Sequence, residues 1–165
     1  MAGRVNRKAY QQTLPGKRIS SGCLFFDESG RLLIVKPTYK EGWEIPGGAL
    51  NANESPLAAC IRETREELGL ERRPGRLLTV DFSNETKQRT ESLNFIFDGA
   101  TLSPAEIEAI RLPENELSEY RLLEPEEALK LLNRRLRRRV RQCLSLLNSP
   151  LTLYLEEQAP PWPVD

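Results

Sequence analysis

Three carboxylates, Glu63, Glu66 and Glu67, crowd into one short stretch of this 165-residue chain, GALNANESPLAACIRETREELGL over 48–70. A helix advances about 100° per residue, so the three fall within an arc of about 100°. On the same wheel Leu57, Ile61, Thr64 and Leu68 gather on the far side and predict a buried stripe. The segment therefore reads as a rod with an apolar back and a concentrated negative front. Like charges at this spacing repel, so a cationic partner is expected to hold them. Hard oxygen ligands with few neutral donors suit Mg2+ or Mn2+.

The spacing resembles the signature of the Nudix hydrolases. Gly48, then five residues, Glu54, then seven residues, Arg62-Glu63, and then Glu66-Glu67, Gly69 and Leu70 all match it. Thr64 stands in the slot the family fills with an aliphatic residue, and Thr has roughly the shape of Val. The preceding Trp43-Glu44-Ile45-Pro46-Gly47 is similar to the family's entry strand. The resemblance implies that Glu63, Glu66 and Glu67 ligate or orient the metal beside Gly48. Arg62 would hold a neighbouring carboxylate through its planar fork. Glu54 and Gly69 would be structural supports. Glu63 and Glu66 are both candidates for activating water. The family often takes one more carboxylate from outside the box, just before an aromatic, and Glu119-Tyr120 fits that description; Glu116, Glu91 and Glu85 are weaker alternatives. Asn51 stands where a Glu is common in the family, and Asn53 where a Gly is common.

The implied activity is hydrolysis of the diphosphate linkage of a nucleoside diphosphate derivative, such as a nucleoside triphosphate or nucleotide sugar, by Mg2+- or Mn2+-activated water. Gly47 would bring backbone close to the phosphates. Tyr39, Trp43, Phe82 and Phe95 are the aromatic candidates for stacking on a base, each weighed against core packing. The proline of family members that act on ADP-ribose, the tyrosine of the dinucleoside-polyphosphate group and the coenzyme A signature are not visible. Two other readings stay open: a nucleotide-sensing module without turnover, which need not keep a metal cage, and an RNA-end processing hydrolase.

Composition sets the bounds. The chain carries 24 Lys and Arg against 24 Asp and Glu, so no global charge drives it to nucleic acid or anionic membrane. A small-molecule partner is favoured over nucleic acid. With no His, acid–base chemistry falls to carboxylates, Lys, Tyr or metal-bound water. Cys23, Cys60 and Cys143 are isolated in apolar surroundings and read as small core residues. No apolar run has the length to span a bilayer and the N-terminus has no apolar leader region, so the cytoplasm is the expected compartment. Oligomeric state is open, with a homodimer compatible with the resemblance.

The elements that must position these residues follow from period and punctuation. Residues 1–16 read as a flexible basic arm, 17–155 as one domain and 156–165 as an irregular tail. Strands are predicted over 17–27, 31–36, 43–46, 76–82, 92–98 and 117–123, with an edge strand over 151–155. Ser55-Pro56 opens the acidic helix and Gly69 ends it. Further helices are predicted over 103–110, 126–132 and 134–147. Strands flanking a central helix give α+β layering, which the resemblance sharpens to an α/β/α sandwich around a mixed sheet. The run Arg134-Arg135-Leu136-Arg137-Arg138-Arg139-Val140-Arg141 reads as a solvated basic face balanced by Glu124, Glu126 and Glu127. A sharper reading makes it an anion-binding surface.

Overall fold

The computed structural model describes residues 7–163. Residues 1–6 of the expected arm and 164–165 of the expected tail lie outside the described residues. Seven strands, β1 (Arg18–Phe26), β2 (Leu32–Pro37), β3 (Gly47–Ala49), β4 (Leu77–Ser83), β5 (Ser92–Thr101), β6 (Leu117–Leu123) and β7 (Leu153–Glu156), form one mixed sheet. The order is β6-β2-β1-β5-β4-β7, and β3 pairs with β1 beside this path. β1 runs parallel to β5, and β4 parallel to β7; the remaining pairs are antiparallel.

The sheet is covered on both faces, as expected of an α/β/α sandwich. Ser21 to Phe26 of β1 are all buried, the pattern of a central strand with helices on either side. Cys23, Phe25, Leu33 and Val35 face α2 (Pro56–Leu68) and α3 (Pro104–Ala109). Their neighbours Leu24, Phe26, Leu32 and Ile34 face α4 (Pro125–Leu131) and α5 (Arg134–Leu144). All three cysteines are free and buried, Cys23 and Cys60 where α2 meets the sheet and Cys143 on the buried side of α5. Among the described residues no helix is long and apolar enough to cross a membrane.

Several details differ from expectation. The entry strand lies not at 43–46 but on the glycines themselves; Trp43 and Glu44 make isolated bridges to Leu132 and Val35. Pro46 has no N–H for a ladder. The approach of β3 to β1 is also too close for side chains, since a Cβ on Gly47 would lie 2.3 Å from the Ser21 carbonyl oxygen. The expected N-terminal arm contains a short helix, α1 (Arg7–Gln12), with every side chain exposed. α5 stops at Leu144, after which turns bring Leu146 into the core. On α2 the buried stripe leans by one residue: Cys60 is buried while Ile61 is half-buried. The tail is not wholly irregular, because β7 runs to Glu156 and a turn through Glu157 and Gln158, both at positive φ, buries Gln158.

Candidate active site

α2 begins where the sequence predicts. Ser55 caps it by accepting from the Ala58 N–H, Pro56 fills the first turn, and Gly69 closes it at φ 71°. Thr64, in the aliphatic slot, is buried, and its hydroxyl donates to the Cys60 carbonyl at 2.8 Å. The buried polar group is thereby satisfied within the helix.

Arg62 is the hub of the exposed face. Its Nε and Nη2 donate to the two carboxylate oxygens of Glu54 at 2.8 and 2.9 Å. Its Nη1 reaches Glu63 and Glu66, each at 2.8 Å, and Nη2 also donates to the Ala49 carbonyl at 3.1 Å. Glu54 in turn accepts the Asn51 N–H at 2.8 Å, which ties the loop before α2 to the helix. Asn53 takes a left-handed φ of 61°, a conformation Asn tolerates. Hydrogen bonds from Arg62 and from the Asn51 N–H hold the Glu54 carboxyl down at about 2.

Glu67 faces a different environment. Its carboxylate accepts the Gly47 N–H at 2.7 Å. Burial, and then the charges of Glu63, Glu116 and Glu44, push it up to about 8. Burial also raises Glu63. Gly48 is the gap that admits Glu63: a Cβ there would lie 2.3 Å from the Glu63 Oε1. The buried Ser21 hydroxyl beside Gly47 has no hydrogen-bond partner among the described residues.

This donor set suits a hard divalent cation: carboxylates with uncompensated charge, a glycine cradle and an orphaned hydroxyl. Among the described residues no three His, Cys, Asp or Glu side chains already converge as a cation cage. Glu63 and Glu66 both turn to Arg62 instead, so a cation would be held after Glu66, whose side chain is about half exposed, swings from the guanidinium.

A cleft of about 400 Å³ opens beside Gly47 and Gly48. It runs over Ser20 and Gly22 of β1 and Asn94 of β5 to the end of β4 and the start of α5. Its floor is polar: Ser20 donates to Asn94 at 2.8 Å, and Asn94 donates to the Asp81 carbonyl at 3.2 Å.

The aromatic candidates separate. Tyr39, 72% exposed, lines the cleft, as does Phe95. Trp43 is a core residue, with the Arg121 guanidinium over its ring at 4.6 Å. Phe82 pairs with Leu93 and Glu156 within the sheet and is not part of the cleft wall. Glu119 pairs with Arg121 at 2.6 Å. Of the carboxylates outside the box, Glu116 and Glu44 are those whose charge reaches Glu67; Glu91 is paired with Lys17. Glu116 is legible in the sequence only as a weaker alternative and Glu44 only as part of the entry-strand likeness, while Ser20, Asn94, Arg18 and Arg89 carry no local motif.

The Arg-rich helix divides by face. Arg141 pairs with Glu126 at 3.0 Å, the balance expected for a solvated face, and Arg137 donates to the carbonyls of Lys130 and Leu132. Arg134 and Arg138 are exposed. Arg135 and Arg139 instead line the cleft.

Residues 16–143 match the NUDIX domain family. Over 78 residues the chain is 35% identical to diphosphoinositol polyphosphate phosphohydrolase 2 of Mus musculus, a match covering 46% of this chain and 44% of that one. Over 55 residues it is 40% identical to an RNA pyrophosphohydrolase of Halorhodospira halophila, covering 33% of this chain and 30% of the relative. The chain thus spans less than half the length of the curated relatives it matches. The crystal structure of the MutT protein from Methanosarcina mazei superposes with a TM-score of 0.62 at 24% identity, covering 76% of this chain and 91% of the other.

Proposed function

The chain belongs to the NUDIX domain family, and from that premise we propose that it is a divalent-cation-dependent hydrolase of the diphosphate linkage in a nucleoside diphosphate derivative. The observation that carries the proposal is the Arg62 hub. One guanidinium locks Glu54 and bridges Glu63 and Glu66, while the Gly47 N–H fixes Glu67 from the cleft side. A merely solvated acidic face has no need of so many coordinated constraints, and a pure nucleotide sensor has no need of the acidic face itself.

In this reading Glu63, Glu66 and Glu67 would hold Mg2+ or Mn2+. When bound, such a cation neutralises charge on the diphosphate and acidifies a water molecule. The remaining work belongs to the chain. Arg62 sets the direction of Glu63 and Glu66, and Gly48 lets Glu63 come up to the strand. Either Glu63 or Glu66 takes the proton from the attacking water. The N–H of Gly47 holds the Glu67 carboxylate against β3. Tyr39 and Phe95 are the aromatic surfaces available to a base.

The test is release of phosphate and nucleotide from nucleoside triphosphates, nucleotide sugars, ADP-ribose, dinucleoside polyphosphates, diphosphoinositol polyphosphates and 5′-triphosphate RNA. It is run with Mg2+ or Mn2+ and with EDTA, beside Glu63→Gln and Glu66→Gln. Metal-dependent turnover is expected, with the variant that loses the proton acceptor slower by about 10²–10⁴-fold. Full activity in both variants would sink the assignment.

A further inference from the structure

The end of the cleft away from Gly47 and Gly48 is strongly basic, and the diphosphate chemistry does not use it. The cleft wall carries Arg18, Lys40, Arg89, Arg135 and Arg139 against a single carboxylate, Glu44, which is already paired with Lys40 at 2.7 Å. Among the described residues Arg18 and Arg89 form no ion pair, and Arg135 stands 4.0 Å from Glu157.

Arg139 is held in place from behind. Its Nε donates to Asp81 at 2.8 Å and its Nη2 to the same Asp81 oxygen at 2.5 Å. Asp81 is fully buried and also accepts the Gln158 N–H at 2.9 Å. Gln158 and Arg139 both reach Ser83, which lines the cleft as well. The guanidinium is therefore fixed by Asp81 and Ser83 of β4, which Gln158 in the turn after β7 holds in turn. Its Nη1 is the remaining pair of donors. Arg135 lies one helical turn earlier, and Asn133, which caps α5, brings the positive end of that helix to the same wall.

We propose that Arg135 and Arg139, facing Arg89 and Arg18, form a second anion subsite, which binds a phosphate group of the substrate other than the diphosphate that is cleaved. The inference rests on the hydrolase reading of the neighbouring site. β3 and β4 are three strand spacings apart across β1 and β5, which sets the two sites about 14 Å apart. That span fits a compact diphosphate whose ring or sugar carries a further phosphate. Arginine suits the task because its planar fork meets phosphate with two parallel hydrogen bonds.

The probe is myo-inositol hexakisphosphate, compared with inorganic pyrophosphate, in calorimetric binding to the full chain in EDTA, where turnover plays no part. The cleft double variant Arg89→Gln/Arg135→Gln is set against a charge-matched control, Arg134→Gln/Arg138→Gln, on the exposed side of α5. Arg139 is left intact because its pairing with Asp81 is structural. The cleft variant should bind hexakisphosphate at least about tenfold more weakly and the control within about twofold of the parent. Pyrophosphate should barely distinguish the three proteins. Equal losses in both variants, or none in either, would overturn the subsite. If no substrate is turned over with Mg2+ and yet the cleft variant alone loses hexakisphosphate, the hydrolase reading falls and the subsite stands.

Discussion

Arg62 and Glu54 meet in a two-pronged bond, Nε and Nη2 of one to the two carboxylate oxygens of the other, across eight residues of sequence. The pair welds the loop carrying Asn51 to the helix carrying the acids. A lysine would keep the charge and lose the fork. Arg62→Lys is expected to lower kcat/KM by about 10–100-fold, the range for residues that orient metal ligands. Melting temperature should fall with it. Unchanged kinetics in a folded variant would show that the hub does not position the acids.

The two adjacent glycines of β3 should fail in different ways. A Cβ at Gly48 meets the end of the Glu63 side chain, which can move aside. Gly48→Ala should therefore fold with nearly the parent's melting temperature and lose most activity. A Cβ at Gly47 meets the backbone of Ser21 and Gly22, and its φ of 146° strains any side chain. Gly47→Ala should lower stability outright. Thermal melts and initial rates on both variants separate the two outcomes.

Glu67 ties stability to pH in the absence of a divalent cation. Its folded value of about 8 lies above its ordinary value of 4.5, so the folded chain binds this proton more tightly than the unfolded one. The linked stability is fully present below pH 4.5 and is lost as pH rises through about 8. In EDTA the unfolding free energy should fall by about 2–4 kcal/mol across that window, after allowance for partial solvent screening. Glu67→Gln should flatten most of that slope. Urea titrations at pH 5, 7 and 9 would show it, and a steeper fall in the variant than in the parent would contradict it.

Asp81 and Arg139 form an ion pair with the carboxylate wholly buried. Removing one partner strands the other charge, at a cost of about 3–5 kcal/mol. Asp81→Asn should lower the urea midpoint accordingly and loosen the C-terminal turn, since Gln158 shares the same carboxylate. Limited proteolysis beyond Ser149 should quicken in this variant. A parent-like midpoint would mean that water compensates the loss.

The acidic helix was legible because cap, proline, periodicity and terminal glycine are all local signals between Ser55 and Gly69. Its partners were less so. Nothing near Glu116 in sequence marks it as the carboxylate whose charge reaches Glu67, because that proximity arises only when β6 takes its place in the sheet. Glu119, within β6 while Glu116 lies in the turn before it, pairs with Arg121 instead. Arg135 and Arg139 were visible as part of a basic run, but which arginines turn inward depends on the packing of α5 on β4. No local signal marks Asp81 within the strand over 76–82. Its burial follows from contacts with Arg139 and Gln158, 58 and 77 residues away.

The parallel pairing of β1 with β5 has a consequence for how the protein is made. Ser20 meets Asn94 across 74 residues. At synthesis rates of about 5–20 residues per second, β1 would wait about 4–15 s for this neighbour to be polymerised. β2, β3 and α2 all follow β1 directly, and β3 and α2 both pack against it. The acidic helix and its glycine strand can thus assemble on the nascent chain as one local unit, with one flank of β1 still bare. For that interval an apolar strand edge is open to foreign pairing. The ribosome and its attendant chaperones would encounter the acidic face early and the finished cleft only after α5 has emerged.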